Sequence, residues 1–391
     1  MLGDMRTALV LAGCFWAASA CERSHRSAVP PTAALTAASP HPEVRPAPER
    51  CGMCFAHSWE DAGARGYGTD AARSALDELK ALGIRHLSLT PFGWMSSLED
   101  PRVVSEVTMA GAETEDRVRA AARDARARGM TVLVKPHLWV RRGEWPGELR
   151  FAAGPQADTF FATYRDFILR WARLAEEVGA DALLIGLELR GLSAAHPDAF
   201  RALIATIRGV YRGRIGYGAN WDEVEQVTFW DTLDFIGVQL YAPLRGAEAP
   251  LDPGALRLSA ERWRDRYEAV SRRFGKPLWL TEAGFTNRVG VTVDPHLWPE
   301  QRSAKRTPEG DAEQRLAYSV LLSVYGASPL VDRIYIWKWF TDVHTDEEPS
   351  GFGYMPRGKP AGEVLRTFCS DPTARLPRGV GGASQAAEKA E

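Results

Sequence analysis

The sequence predicts an α/β fold, a closed (βα)8 barrel in which eight parallel strands each lead into a helix, over residues 51–369. Two observations carry this prediction. Short runs of β-branched and aliphatic residues alternate with amphipathic helical segments, and the strand runs are hydrophobic almost throughout, which is typical of parallel strands buried on both faces. The length of the range also fits a single barrel, for which about 250 residues are typical and insertions are common.

An open, doubly wound sheet is the structural alternative, because it too alternates strands with helices. It is disfavoured because no G-x-G-x-x-G turn follows a predicted strand. In order, the eight predicted strands cover residues 52–57, 84–90, 131–135, 182–187, 214–217, 235–240, 277–281 and 334–337.

Glycines mark the ends of the predicted helices, because the residue after a helix often takes a left-handed conformation that glycine tolerates. We expect such ends at Gly83, Gly129, Gly179, Gly213, Gly275 and Gly326. The clearest helix, before the fourth strand, places a run of large apolar side chains on one face at helical spacing: Phe160, Tyr164, Phe167, Ile168 and Trp171.

The composition excludes several classes of function. The chain carries 48 Lys and Arg against 50 Asp and Glu, so no overall positive field attracts nucleic acid, and we expect no nucleic-acid partner. A hydrophobic content of 45% excludes a disordered chain. No His, Cys or Asp cluster has the spacing of metal ligands and no Gly-x-Ser-x-Gly motif is present, so the sequence implies no metal and no cofactor.

Residues 1–20 are predicted to be an export signal of the lipoprotein type. Their apolar stretch, 7–20, is too short for a bilayer span of about 20 residues and has the length of a signal core. The signal ends in Ala-Ser-Ala-Cys21, which resembles the lipobox of bacterial lipoproteins, although Ala18 stands where Leu is usual. This resemblance implies a lipidated Cys21 and an extracytoplasmic protein that touches the membrane only through its anchor. Ordinary cleavage after Ala20, which gives a secreted protein, is the alternative.

Two further segments flank the barrel domain. Residues 21–50 are rich in proline and alanine and are predicted to form an extended tether. Residues 370–391 are short of large apolar side chains and are predicted to be a disordered tail.

The cysteines of the domain predict a disulfide between Cys51 and Cys369. In a closed barrel the last helix returns to the end at which the first strand begins, so the two residues meet there. The alternative pairs Cys51 with Cys54 as a redox or metal motif, but no second pair follows in the sequence. A structural disulfide suits the oxidising compartment that the export signal implies.

Two glutamates close apolar strands on opposite sides of the predicted barrel. Glu188 follows the fourth strand and Glu282 follows the seventh. Because working groups in such barrels lie at the carboxyl ends of the strands, the two face each other across its mouth. One carboxylic acid that protonates a leaving oxygen and one carboxylate that attacks the anomeric carbon are what a retaining glycosidase needs. For either glutamate alone the alternative is a structural ion pair, for instance between Glu188 and Arg190.

Tryptophans concentrate at the same end of the barrel. Flat indole faces match the apolar faces of sugar rings, so these side chains predict an aromatic-lined cleft, although several of them are expected to cap the core instead. The tryptophans at or just past strand ends are Trp59, Trp94, Trp139, Trp145, Trp221, Trp298, Trp337 and Trp339, whereas Trp171, Trp263 and Trp279 are predicted to pack in the core.

Taken in order, these motifs resemble glycoside hydrolase family 113, whose characterised members are (βα)8 endo-β-mannanases. The resemblance covers residues 52–365. It rests on Trp59, Val134-Lys-Pro-His137, Gly143-Glu-Trp145, Gly186-Leu-Glu-Leu189, Tyr217-Gly-Ala-Asn-Trp221, Asp234-Phe-Ile-Gly237, Leu240-Tyr-Ala-Pro243, Thr281-Glu-Ala-Gly-Phe285, Tyr335-Ile-Trp-Lys-Trp339 and Pro356-Arg-Gly-Lys-Pro360.

The resemblance implies a role for each matched residue. Glu188 is the expected acid/base and Glu282 the expected nucleophile, with the Tyr241 hydroxyl hydrogen-bonded near Glu282. Trp337 is expected to floor the subsite of the reacting sugar. Further contacts to the substrate are expected from Trp59, Lys135, His137 and Asn220. One departure concerns the sugar contacts: many related barrels carry Asn immediately before the acid/base, where this chain has Leu187, so a contact to the 2-hydroxyl of the sugar is expected from another residue.

The expected partner is therefore a β-linked polysaccharide or oligosaccharide, mannan by preference. Two alternatives remain open at this point. A glycan-binding surface lipoprotein that has lost turnover would keep the fold and the aromatic cleft, and an enzyme with the same chemistry would act on another β-glycan or favour transglycosylation.

Overall fold

The structure is a computed structural model that describes residues 46–59, 61–105, 111–297, 305–342 and 351–370, with the side chain of Arg142 left out. The predicted export signal, Cys21, most of the tether, Trp298 and nearly all of the tail lie outside the described residues.

Eight parallel strands close into a barrel, which confirms the predicted fold class. In chain order they are β1 (Cys51–Ala56), β2 (His86–Leu89), β4 (Thr131–Val134), β6 (Ala182–Leu187), β7 (Arg214–Asn220), β8 (Phe235–Leu240), β9 (Leu278–Ala283) and β10 (Val331–Phe340). Neighbouring barrel strands follow one another in sequence, and the barrel closes where β10 pairs with β1.

Two short strands that the sequence did not predict form a separate parallel pair, β3 (Phe92–Met95) and β5 (His137–Val140). Each continues the chain beyond the carboxyl end of a barrel strand, so the pair stands at the rim of the barrel. Alternate side chains of β3 and β5 are buried against the core, and the others remain partly or fully exposed. The partly exposed face of the pair is entirely aromatic and consists of Phe92, Trp94, His137 and Trp139.

The helices are α1 (Ala62–Arg65), α2 (Asp70–Ala81), α3 (Glu115–Ala127), α4 (Pro155–Glu177), α5 (Arg190–Ala195), α6 (Pro197–Arg208), α7 (Pro253–Phe274), α8 (Pro308–Tyr325) and α9 (Pro360–Ser370). Several begin at a side-chain cap, as when Asp252 accepts a hydrogen bond from the Ala255 amide at 2.6 Å. None of the helices in the described ranges is long and apolar enough to cross a membrane.

Four of the six predicted glycine ends take the left-handed conformation, with φ of 90° at Gly83, 79° at Gly129, 62° at Gly179 and 65° at Gly275. At Gly326 the predicted end of α8 is confirmed, but its φ is −68° and not left-handed. The predicted end at Gly213 was wrong, because α6 ends earlier, at Gly209. The glycines that end α8 and α6 keep the right-handed helical conformation, and their amides donate to carbonyls of the last turn. A left-handed residue is therefore not required there.

The apolar core has two layers. Side chains that alternate with the outward-facing ones fill the interior of the barrel, among them Leu133, Leu184, Phe235, Trp279 and Tyr335. Phe235 and Trp279 stack there with ring centroids 3.9 Å apart. A larger layer lies between the strands and the surrounding helices and includes Phe160, Phe167 and Trp171 of α4.

A disulfide joins Cys51, at the start of β1, to Cys369, near the end of α9, with their Cα atoms 5.7 Å apart. The bond links residues 318 positions apart and fastens the last helix to the first strand. The alternative pairing is wrong, because Cys54 is a free thiol buried in the barrel interior.

Replacing both Cys51 and Cys369 with Ala is expected to lower the thermal midpoint, because the bond closes a very long loop and such cross-links contribute roughly 2–5 kcal/mol. Calorimetry with and without a reductant checks this. The reductant should lower the midpoint of the wild type to that of the variant and leave the variant unchanged. A wild-type midpoint that does not respond to full reduction would contradict the prediction.

Candidate active site

Glu282 lies in β9 at the mouth of the barrel, and both of its carboxylate oxygens are bonded. The Tyr241 hydroxyl, just past the end of β8, donates to Oε2 at 2.9 Å. The Lys135 ammonium, just past the end of β4, donates to Oε1. Only 6% of the Glu282 residue surface is exposed, so these two donors replace water around the charge.

Lys135 is completely buried beneath this carboxylate. Its Nζ lies 3.4 Å from the Cys54 thiol and 4.9 Å from the centroid of the Trp337 ring. Burial alone would lower the pKa of Lys135, but the facing Cys54 and Glu282 groups raise it, so the side chain stays cationic. The structure therefore uses Lys135 as the counter-ion of Glu282, whereas the sequence resemblance implied a contact to sugar hydroxyls.

Glu188 follows β6 and faces the same mouth from a different environment. Its Oε2 accepts a hydrogen bond from the Trp145 indole at 2.7 Å. Burial, reinforced by the nearby charge of Glu282, raises the pKa of Glu188 to about 8. Glu188 thus remains a carboxylic acid at neutral pH while Glu282 is ion-paired with Lys135.

The backbone at Glu188 is also unusual. Its φ is 49°, in the left-handed region that residues other than glycine rarely adopt. A left-handed residue with a Cβ costs roughly 1–2 kcal/mol, so the surrounding structure must hold it there. One restraint is the hydrogen bond from the Glu188 amide to the carbonyl of Gly218 in β7, at 2.8 Å.

The alternative of an ion pair between Glu188 and Arg190 is wrong. Arg190 instead forms ion pairs with Asp222 at 2.8 Å and Glu148 at 3.0 Å, and its guanidinium lies 4.8 Å from the Trp145 ring centroid. These contacts support the ring that donates to Glu188, and among the described residues Glu188 forms no ion pair.

The remaining expected substrate residues have different surroundings. Trp337 is half-buried in β10, and its ring adjoins the Lys135 ammonium. His137 bonds the carbonyl of Leu138 at 2.9 Å and packs on Phe92. Asn220 is nearly buried, and its amide donates to Asp222 at 2.7 Å. Trp59 sits farther out, edge-on to Trp94 with centroids 5.4 Å apart.

The tryptophans expected at the rim divide into two groups. Trp339 is buried in the core. Trp221 packs against the surface of this core and against the Trp263 ring. Trp59, Trp94 and Trp139 instead join Phe92 in a contiguous aromatic cluster on the outer face of the β3–β5 pair, where Trp139 is 44% exposed. Trp171 and Trp279 are core residues, as expected.

Sequence reasoning missed two buried groups of the site. Cys54 was considered only as a partner for Cys51, but the alternation of strand side chains turns it into the barrel beside Lys135. Glu223 follows β7 and is fully buried, yet nothing in its polar sequence context indicated burial. Its position after Asn220-Trp-Asp was the only available signal.

The two carboxyl groups differ in their protonation and in their partners. Glu188 has a proton to give at neutral pH, and Glu282 is held as a carboxylate by Lys135 and Tyr241. In the described part of the chain, no group of three or more His, Cys, Asp or Glu side chains could hold a metal ion.

Comparisons with known proteins identify a family and several structures of similar fold. The model of Glycoside Hydrolase Family 113 matches residues 56–359. A β-1,4-mannanase of family 113, solved as a complex, superposes with a TM-score of 0.71 at 23% identity, over 82% of this chain and 99% of that chain. The β-mannanase AaManA from Alicyclobacillus acidocaldarius, in complex with ManMIm, superposes with a TM-score of 0.69 at 25% identity, over 85% of this chain and 99% of that chain. No curated protein matches the chain.

The barrel and the family match define a glycoside hydrolase, an enzyme that acts on an oligosaccharide or polysaccharide. The chain belongs to glycoside hydrolase family 113, because the match covers most of its length. The resemblance drawn from the sequence motifs is thereby confirmed.

Glu282→Gln is expected to lower the free energy of unfolding by about 3–5 kcal/mol, because it leaves the buried Lys135 ammonium without its counter-ion. Adding Lys135→Met to the same chain should recover much of the loss, because the uncompensated charge is then gone. Urea unfolding at neutral pH measures both effects.

Glu188→Gln serves as the matched control, because it removes a carboxyl group that is already neutral and that forms no ion pair among the described residues. It should cost far less than Glu282→Gln. Equal losses for the two single variants, or no recovery in the double variant, would contradict the assigned ion pair.

Proposed function

We propose that the protein is a retaining glycoside hydrolase that cleaves β-1,4-mannan within the chain by double displacement, with Glu188 as acid/base and Glu282 as nucleophile. The observation that carries the proposal is the difference between the surroundings of the two carboxyl groups. Burial raises the pKa of Glu188, whereas Glu282 is paired with a buried ammonium and a tyrosine hydroxyl. A retaining mechanism requires this division of labour.

In the first step, Glu282 attacks the anomeric carbon while Glu188 gives its proton to the departing glycosidic oxygen. The bond between the anomeric carbon and that oxygen breaks, the leaving sugar departs as an alcohol, and an ester forms between the sugar and Glu282. The negative charge on Glu282 that Lys135 and Tyr241 stabilise disappears when the ester forms, and it returns when the ester breaks.

In the second step, Glu188, now a carboxylate, removes a proton from water, and the water oxygen attacks the anomeric carbon. The ester bond to Glu282 breaks, and the product leaves with its original configuration. The Trp145 indole hydrogen bond stabilises the anionic form of Glu188 between the two steps. Glu188 therefore alternates between acid and base.

Aromatic surfaces support a glycan chain as the substrate. The Trp337 ring lies against the Lys135 ammonium that pairs with Glu282, where it suits the floor of the subsite for the reacting sugar. The aromatic cluster of Trp59, Phe92, Trp94 and Trp139 is partly exposed near the same rim. His137, two residues after Lys135, packs against Phe92 of this cluster. Asn220, the last residue of β7, carries a side-chain amide that donates to Asp222 at 2.7 Å.

Mannan is the favoured glycan because family 113 structures of similar fold are described as β-mannanases, AaManA among them at 25% identity. A screen for new reducing ends on mannan, glucomannan, xylan and β-glucan tests this choice. We expect mannan and glucomannan to be cut into oligosaccharides of several lengths. Release of single sugars from chain ends, or activity on xylan alone, would refute the proposed specificity.

Azide rescue tests the assignment of the nucleophile. Glu282→Ala should abolish the first step, and azide should restore turnover by occupying the vacated space and giving a glycosyl azide of inverted configuration. The reaction is followed by NMR with an aryl glycoside whose leaving group needs little acid assistance. Because Ala also leaves Lys135 without its partner, near-UV circular dichroism must first show that the variant is folded. Activity like that of the wild type in Glu282→Ala would exclude the double displacement.

The pH dependence of kcat/KM is expected to fall as the pH rises through about 8, because Glu188, whose pKa is raised to about 8, loses the proton it must donate. The charged groups that face it are Glu282 and Glu223, which favour the acid, and Lys135, which favours the carboxylate. Trp145→Phe removes a donor to the carboxylate and should move the basic limb to higher pH. A basic limb that persists unchanged in Glu188→Ala would contradict the assignment.

We also propose that the enzyme is extracytoplasmic and anchored through a lipidated Cys21, which lies outside the described residues. The Cys51–Cys369 disulfide supports an oxidising compartment. Fractionation of cells that express the full chain or its Cys21→Ala variant tests the anchor. Wild-type protein in the soluble fraction would refute it in favour of secretion.

A further inference from the structure

Glu223 is a third carboxylate near the mouth of the barrel, and the steps above do not use it. It lies in the turn after β7 with no exposed surface. Its described partners are uncharged donors: the Tyr217 hydroxyl at 2.6 Å, the Ser193 hydroxyl, and the Asn220 amide at 2.9 Å. A buried carboxylate without a cation is costly, so a set of donors gathered around one suggests a role beyond packing.

Tyr217 connects this carboxylate to the backbone beside Glu188. The phenol is fully buried, donates to Glu223, and accepts the amide N–H of Leu189 at 2.8 Å. A backbone amide can only donate, so the phenol oxygen accepts from Leu189 and its own O–H is left to donate to a Glu223 oxygen. The phenol thus links the Glu223 carboxyl group to the Leu189 amide.

The amide of Leu189 belongs to the peptide that follows the left-handed Glu188. The peptide before Glu188 is held by the bond from its amide to the Gly218 carbonyl, and the peptide after it is held by Tyr217. The tip of the Glu188 side chain is held separately by Trp145. Without the Tyr217 hydroxyl, the Leu189 amide loses its hydrogen bond to β7, and of these two amide bonds the one from Glu188 to Gly218 remains.

We propose that Glu223 and Tyr217 form a positioning pair that holds the backbone of Glu188 in the left-handed conformation from which its carboxyl group reaches the leaving oxygen. The inference rests on the proposed acid/base role of Glu188. Both members act through the Leu189 amide and neither touches the substrate.

The pair has a consequence that a purely structural role would lack. A sugar alkoxide is a poor leaving group and needs the proton of the acid, whereas a dinitrophenolate leaves without it. Misplacing the acid therefore slows cleavage between sugars and leaves the first step on a dinitrophenyl glycoside nearly unchanged. General acid assistance contributes about 10²–10⁴-fold in rate, which sets the largest loss that the pair can cause.

The test compares kcat/KM for Tyr217→Phe on a mannooligosaccharide and on dinitrophenyl β-mannoside. We expect a loss of roughly 10-fold or more on the oligosaccharide and less than about 3-fold on the dinitrophenyl substrate, since only part of the acid assistance is lost. Tyr164→Phe is the matched control, because the buried Tyr164 hydroxyl donates to the carbonyl of Ile185 in β6 at 2.7 Å and not to the turn at Glu188. Its effect should be small and equal on both substrates.

Glu223→Gln tests the other member. If the two residues act as a pair, the loss in the Tyr217→Phe, Glu223→Gln double variant should be smaller than the product of the single losses. Ser193→Ala removes a different donor to Glu223 and leaves Tyr217 in place, so it should show the same selectivity more weakly. If Tyr217→Phe does not fold, Ser193→Ala replaces it as the test of selectivity between the two substrates.

Equal losses on both substrates in Tyr217→Phe, or fully multiplicative losses in the double variant, would overturn the pair. Glu188→Ala separates this outcome from a failure of the proposed function. If Glu188→Ala selectively loses oligosaccharide cleavage while Tyr217→Phe does not, the pair alone is refuted. If Glu188→Ala slows both substrates equally, the acid/base assignment fails and the pair fails with it.

Discussion

The buried ion pair between Lys135 and Glu282 is the constraint around which the site is organised. A fully buried ammonium is tolerable only beside an anion, so Lys135 keeps a carboxylate at the mouth of the barrel. That fixed negative charge in turn disfavours ionisation of the second carboxyl group, Glu188, which burial already keeps protonated. Burial of Glu188 and the ion pair at Glu282 together account for the opposite states of the two glutamates.

The barrel brings these groups together through its strand order. Lys135, Tyr241 and Glu282 come from β4, β8 and β9, and only the common direction of parallel strands places all three at one rim. At the opposite end of β1, the Cys51–Cys369 disulfide fastens α9 to the first strand. The candidate site therefore lies at one end of the barrel and the disulfide at the other. Barrels of this fold generally keep residues for stability at the end opposite the active site.

Local strain at Glu188 shows how the scaffold sets side-chain placement. The left-handed backbone there persists because β7 supplies partners for the amides on both sides, directly through Gly218 and through the Tyr217 hydroxyl. Cys54 illustrates the opposite case. Burial raises the pKa of this thiol to about 12, so it remains neutral beside Lys135 and fills space in the barrel interior.

The barrel and the meeting of Cys51 with Cys369 could be predicted from the sequence, because strand hydrophobicity and the order of elements are local or topological properties. The sequence also predicted Glu188 and Glu282 at the ends of their strands, and their catalytic roles stay a proposal. The contact of Lys135 with Glu282, the turn of Arg190 toward Asp222, the burial of Glu223 and the β3–β5 pair at the rim became visible only in the folded chain. Such contacts depend on side-chain direction and on neighbours far apart in the chain. Residue type and spacing do not encode which of several nearby charges a buried cation will meet.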